Sequence, residues 1–206
     1  MRNVITTLDL PETGDFKVPR GSIVTPSARD MAAARGVRII EVSDDQLPTA
    51  PPDKTIALGS DHGGYRLKET LKPVLHGLGL EVRDVGVHDE RSSDYPDIAL
   101  EVAELVASRV VSRGIVIDGA GIGSSIAANK VPGIRAALCY DIASARNSRE
   151  HNDSNVLTLG ARLLTASQAE DVLRTWIGTP FAGGRHQARV EKITAIEQRY
   201  SKKTSS

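Results

Sequence analysis

Ile115-Val116-Ile117-Asp118-Gly119-Ala120-Gly121-Ile122-Gly123-Ser124-Ser125-Ile126-Ala127-Ala128-Asn129-Lys130 decides the fold. Three apolar β-branched residues enter a glycine-rich turn, and a run of small residues leaves it. That order predicts a strand, a loop free to take unusual backbone angles, and a helix whose N-terminus faces the loop. Such a turn can hold a phosphate, or an oxyanion that exists only during a reaction. The first residue past the strand is a carboxylate, Asp118, beside a cradle built for anions. The turn does not match the dinucleotide-binding or ATP-binding glycine patterns.

The same alternation extends in both directions from Thr55 onward. Strands are predicted at Thr55 to Gly59, Leu80 to Val85, Ala136 to Cys139 and Val156 to Gly160. Helices are predicted from Gly63 to about Leu78, Tyr95 to about Ser108, Ile142 to Glu150, Ala166 to Gly178 and His186 to about Tyr200. Leu67, Leu71, Leu75 and Leu78 line one face of the first of these, and Pro73 should kink it or cost stability. Val190, Ile193 and Ile196 mark one face of the last. Repeated strand–helix units imply an α/β fold, a Rossmann-like three-layer sandwich with a parallel sheet and ligands at the carboxyl ends of the strands.

Ahead of this lies a small N-terminal extension, residues 1–42. In it Thr25 suits an N-cap, Pro26 a first helical turn and Gly36 a helix end, between short apolar runs. This strand–helix–strand unit is too small to bury a sizeable core. Residues 43–54, with three prolines and three acids, read as a linker, and 201–206 as a frayed tail.

Composition narrows the function. The chain has 206 residues, 26 basic and 26 acidic, so no global field favours nucleic acid or an anionic membrane. Aromatics are 3 %, which suits a core of Val, Ile, Leu and Ala. A single cysteine, Cys139, precludes an internal disulfide. There is no apolar run of membrane-spanning length and no signal-peptide pattern, so the expectation is a soluble, cytoplasmic protein. No cluster has metal-ligand spacing, and none of the motifs calls for a cofactor.

Strand ends supply the candidate site residues. Asp61 and His62 follow the first strand of the larger domain, where they can bind or protonate a substrate oxygen, or merely cap the helix. His151 and Asn152 close a helix, where a histidine can act as an acid or base or as a simple C-cap. Arg162 follows a strand, and Arg185 and Arg189 stand four apart, so they share a helix face if the last helix has begun by then. Arginine suits bidentate phosphate binding, although each alone could be a solvated surface residue.

Five motifs then act in combination: GSDHGGYRLKE at 59–69, DYPDIA at 94–99, the GxGIG turn running into SIAANKVPGIRAAL at 125–138, REHNDSNVLTLGARL at 149–163 and TPFAGGRHQARVEKI at 179–193. On these the chain, from about Thr55 to Ile196, resembles the ribose-5-phosphate isomerase B family, which also contains the galactose-6-phosphate isomerase subunits. The resemblance implies aldose–ketose isomerisation of a phosphorylated sugar through a cis-enediolate, without metal or cofactor, in homodimers or tetramers with sites at the subunit interface. It implies that Asp61 and His62 bind substrate, that His151 opens the furanose ring with Asn152 beside it, and that Arg162, Arg185 and Arg189 hold phosphate, the last two from the partner. It makes the turn containing Gly119, Gly121, Gly123 and Ser124 the enediolate's anion hole.

The chain departs from the family at the turn. One branch reads Cys-Gly-Thr-Gly there, its cysteine being the base, and the other carries a glutamate base further along. Here those base positions are Asp118 and Ser124, and Ala120 replaces the threonine. Three functions stay open: an isomerase with Asp118 as base, a family member with other chemistry such as hydrolysis of a small polar substrate, and a non-catalytic phospholigand-binding protein. The extension, through GSIVTPSARDMAAARGVRII, loosely resembles short segments in proteins of bacterial microcompartment operons, which implies a cargo role or a docking role toward shell or cargo; the alternative is an ornament that covers a helix or the dimer interface.

Overall fold

A computed structural model of the chain describes residues 4–5, 10, 14–42 and 54–201. The predicted tail, apart from Ser201, and the predicted linker, apart from Lys54, lie outside the described residues. The chain divides into two units, Met1–Ala50 and Pro51–Ser206.

In the first unit, β1 (Val4–Ile5) pairs parallel with β3 (Ile23–Val24), and β2 (Gly14–Pro19) pairs parallel with β4 (Val37–Val42). Helix α1 (Pro26–Arg35) begins and ends as its residues dictate. The Thr25 side chain accepts from the Ala28 amide, Pro26 occupies the first turn, and Gly36 closes the helix at φ 67°. Leu10, Ala28, Ala32 and Val37 form a small buried cluster.

The second unit runs β5 (Thr55–Ser60), α2 (Tyr65–Gly77), β6 (Glu81–Asp84), α3 (Tyr95–Ala107), β7 (Arg113–Asp118), α4 (Ile122–Ala128), β8 (Ala136–Leu138), α5 (Ile142–Asn152), β9 (Val156–Gly160), α6 (Ala166–Gly178) and α7 (Gln187–Ser201). Its five strands are parallel in the order β6-β5-β7-β9-β8. Side chains alternate across the sheet as strand geometry requires. Ile56, Leu58, Ile115, Ile117, Leu157 and Leu159 face α2, α5 and α6, with fully buried Trp176. Ala57, Val116 and Val156 face α3 and α4. The α/β sandwich expected from the sequence is therefore present.

The order of strands fixes where a ligand can enter. From β5 the chain leaves toward one face into α2, and from the adjacent β7 toward the other face into α4. The two loops diverge and leave a crevice at the strands' carboxyl ends.

Three details differ from expectation. Helix α2 continues through Pro73 but stops at Gly77, so Leu78 is its cap and 37 % exposed. Helix α5 extends to Asn152, with Asp153 capping it at φ 46°. In α7 Val190 is buried, whereas Ile193 and Ile196 are exposed. Periodicity identified that face without saying what covers it.

Candidate active site

The crevice is built from three strand ends. Gly64 lets α2 start close against β7, because a Cβ there would lie 2.1 Å from the Ile117 carbonyl oxygen. Asp61, 7 % exposed, accepts from the Gly64 amide at 2.9 Å, which closes the turn ahead of α2, a helix whose N-cap is Gly64 and which has no side-chain cap. The His62 amide donates to Ser93 Oγ at 3.1 Å, and its Nδ1 lies 3.2 Å from the Ser93 carbonyl oxygen. Ser93 thereby anchors the imidazole, a role that no sequence motif marked. The loop from β9 closes the third side. Ala161 donates to the Asp118 carbonyl at 2.8 Å and Arg162 to the Gly119 carbonyl at 3.0 Å. The Arg162 side chain crosses the turn, with Nε 3.5 Å from where a Gly119 Cβ would be.

Asp118 lies at the centre, 4 % exposed. Its Oδ1 accepts from the amides of Ala120, at 2.7 Å, and Gly121. Its Oδ2 accepts from the Ser124 amide at 3.1 Å and the Ser124 hydroxyl at 2.5 Å. Four donors fill the four lone-pair sites of a carboxylate. Gly121 makes this possible with φ 76°, and a Cβ there would lie 2.5 Å from Leu138 Cδ1. The expected anion hole is thus partly occupied by the chain's own carboxylate. The amides of Gly119, Ile122 and Gly123 donate to no protein acceptor among the described residues. The Tyr95 ring lies against Gly123, a neighbour the sequence did not reveal.

The remaining candidates sit elsewhere. Helix α5 runs antiparallel to the strands, so His151 and Asn152 reach the amino ends of the sheet. There Gly114 donates to the Asn155 carbonyl and Asn155 to that of Arg135. A six-residue strand such as β7 spans about 20 Å at roughly 3.3 Å per residue, so His151 lies far from Asp118 within one chain. The segment before α7 joins this second cluster: Ala182 donates to the Glu150 carbonyl at 3.0 Å, and the His151 and His186 rings stack with centroids 4.1 Å apart. Exposed Arg185 and Arg189 flank His186 in sequence.

The chain therefore gathers its candidates into two groups. Asp61, His62, Asp118, the Gly119–Ser124 turn and Arg162 stand at the carboxyl edge, and His151, Asn152, Arg185 and Arg189 at the opposite edge. The first group offers a carboxylate, a histidine, open amides and an arginine. The second offers a histidine and two arginines. Asn147 and His186 belong to the second group and escaped the sequence reading, although His186 adjoins Arg185. Cys139 is fully buried, and burial pushes its thiol up while a Ser148 hydrogen bond pulls the other way. It is a packing residue. Among the described residues no group of three or more His, Cys, Asp or Glu side chains could hold a metal, and no helix is long and apolar enough to cross a membrane.

A family model described as Ribose/Galactose Isomerase matches residues 56–193. Ribose-5-phosphate isomerase B of Escherichia coli is 49 % identical over 146 residues, covering 71 % of this chain and 98 % of its own. The solved structure of Clostridium thermocellum ribose-5-phosphate isomerase B is 54 % identical with a TM-score of 0.70, over 71 % of this chain and 99 % of that one. That of a Thermotoga maritima ribose 5-phosphate isomerase is 46 % identical with a TM-score of 0.66, over 68 % and 97 %.

Proposed function

Because the chain belongs to the ribose/galactose isomerase family, we propose that it interconverts an aldose phosphate and its ketose, with ribose 5-phosphate as substrate. The observation that carries this reading is the Asp118–Ser124 pair. The two positions where the family's branches are implied to hold their base are hydrogen-bonded to each other here, in the crevice where β5 and β7 diverge.

In this reading two copies complete each site, one presenting its carboxyl edge and the other its amino edge. His62, Arg162 and, from the second copy, Arg185 and Arg189 hold the phosphate. His151 of the second copy donates a hydrogen bond to the ring oxygen; as the bond from C1 to that oxygen breaks, the C1 hydroxyl gives its proton to water and the freed oxygen takes one back from water, which opens the furanose. Asp118 takes the C2 proton and returns it to C1, while the C2 hydroxyl's proton passes to O1 by way of water. The enediolate between these steps faces the open amides of Gly119, Ile122 and Gly123. Ser124 Oγ is the one donor on Asp118 that can rotate away, because the other three are backbone amides held in the turn. Its rotation frees Oδ2 for the carbon-bound proton.

A second reading rests on the same four hydrogen bonds: a carboxylate kept saturated serves the turn's shape, and the chain then binds a sugar phosphate without isomerising it. Incubation with ribose 5-phosphate in deuterated water separates the two. Isomerisation with label appearing at C1 or C2 is expected. Tight binding with neither product nor exchange would sink the isomerase reading.

The family match begins at residue 56 and leaves residues 1–55 outside it. We assign residues 1–42 to docking on a protein partner, with a bacterial microcompartment shell or cargo protein as the class. Deleting residues 1–53 is expected to leave isomerase activity intact and abolish co-sedimentation with shells.

A further inference from the structure

We propose that His186 is a positioning residue for His151, a flat neutral ring that fixes the orientation of the ring-opening imidazole. This rests on the ring-opening role given to His151 above.

The two rings lie 4.1 Å apart, centroid to centroid, and 4° from parallel. Such a face-to-face pair suits at most one charge, since two imidazoliums at that separation repel. Hydrogen bonding decides which ring stays neutral. Arg185 Nε donates to His186 Nε2 at 3.3 Å, which makes Nε2 an acceptor and assigns the proton to Nδ1. His186 is 7 % exposed and its buried Nδ1 has no partner among the described residues. Loss of water, then the positive neighbours His151, Arg185 and Arg189, push the His186 pKa down, against Glu150 alone. His186 therefore presents an uncharged face.

His151 is held differently. Asn147 Nδ2 lies 2.8 Å from His151 Nδ1, and Asn152 Nδ2 lies 3.5 Å from Asn147 Oδ1. This pattern makes His151 Nδ1 an acceptor and assigns its proton to Nε2, the nitrogen left to donate to a sugar ring oxygen. Asn147 fixes the tautomer and His186 fixes the plane. Packing alone would favour an apolar ring here, because a buried N–H without a partner is costly.

The test compares a cyclic with an acyclic substrate. Ribose 5-phosphate closes a five-membered ring, whereas erythrose 4-phosphate has its O4 blocked and cannot. In the full-length protein, His151→Ala should lose at least 100-fold in kcat on ribose 5-phosphate and under threefold on erythrose 4-phosphate. His186→Ala should show the same selectivity, with at least a tenfold loss in kcat on the pentose and KM within threefold. His186→Phe, which keeps a flat ring, should restore most of it. Equal losses on both sugars for His186→Ala would mean a structural role and overturn the proposal, as would no loss at all or failure of a folded Phe variant to rescue. Absence of cyclic selectivity in His151→Ala itself would overturn the ring-opening reading and the proposal with it. Independently of turnover, ¹⁵N shifts should report a single Nε2–H tautomer for His151 in the wild type and a mixture in His186→Ala. An unchanged tautomer there would also count against it.

Discussion

Ser124 Oγ donates to Asp118 Oδ2 across 2.5 Å, inside a turn whose amides already hold the same carboxylate. If Asp118 is the base and Ser124 only covers it, the two side chains have unequal weight. Asp118→Asn should lower kcat by about 10³-fold, in the range of a lost general base. It also turns an amide N–H₂ toward the Ser124 donors and should lower Tm. Ser124→Ala removes a donor that must move away during reaction, so kcat should change less than tenfold. Asp118→Cys should recover activity over Asp118→Asn, because a thiol can take the proton. Steady-state assays with ribose 5-phosphate decide this. Equal losses in Asp118→Asn and Ser124→Ala would make the serine a relay rather than a cover.

The separation of Asp118 from His151 by the length of the sheet leads to a complementation experiment. Asp118→Asn and His151→Ala homodimers should both be nearly inactive. Unfolded together in equal amounts and refolded, they should form mixed dimers in half of the population, each with one intact site of two. Activity should return to about a quarter of wild type, from symmetry alone. No recovery, with mixed dimers demonstrated by mass spectrometry, would place both residues in the same chain's site.

Much of this layout was readable in the sequence. The bounds of β9 and α6 follow from Val156–Gly160 and Ala166–Gly178 because a continuous apolar strand and a Thr165–Gln168 capping box leave few alternatives. The two-edged placement was also implicit, since a helix that follows a parallel strand must end at the opposite edge. The folding of the Asp118 carboxylate into its own turn was not readable. It depends on the φ of Gly121 and on the approach of Leu138 and Leu159 behind it, which are long-range facts. His186 was overlooked for a related reason: its partner His151 is 35 positions away, and stacking has no local sequence signal.

The burial of Cys139 behind Ser148 should make its thiol slow. With burial raising its pKa and no path for reagent, a disulfide reagent such as Ellman's should titrate almost nothing in the native protein and one thiol per chain after denaturation. Rapid native labelling would show that β8 and α5 part readily.

Lys68 is fully buried, with Nζ 2.6 Å from Asp84 Oδ1 and 2.6 Å from the Val87 carbonyl, and Lys72 also pairs with Asp84. Burial pushes the Asp84 carboxyl up, but the hydrogen bonds and charges of Lys68 and Lys72 outweigh it and hold the pKa below the usual value. A depressed carboxylate pKa stabilises the fold fully above the unfolded value near 3.9, and that stability is lost as pH falls through the folded value. Asp84→Asn leaves the buried ammonium with only the Val87 carbonyl and the Glu69 carboxylate 3.6 Å away and should cost about 3 kcal/mol, or roughly 10 °C in Tm for a chain of this size. Lys68→Met leaves Asp84 paired with Lys72 and should cost less. The double variant should be more stable than Asp84→Asn, because the buried charge left with only a distant carboxylate is gone. Thermal melts at pH 7 and pH 3 test both statements: the gap between wild type and Asp84→Asn should narrow at the lower pH. A gap that stays constant would mean that the pair contributes nothing through ionisation.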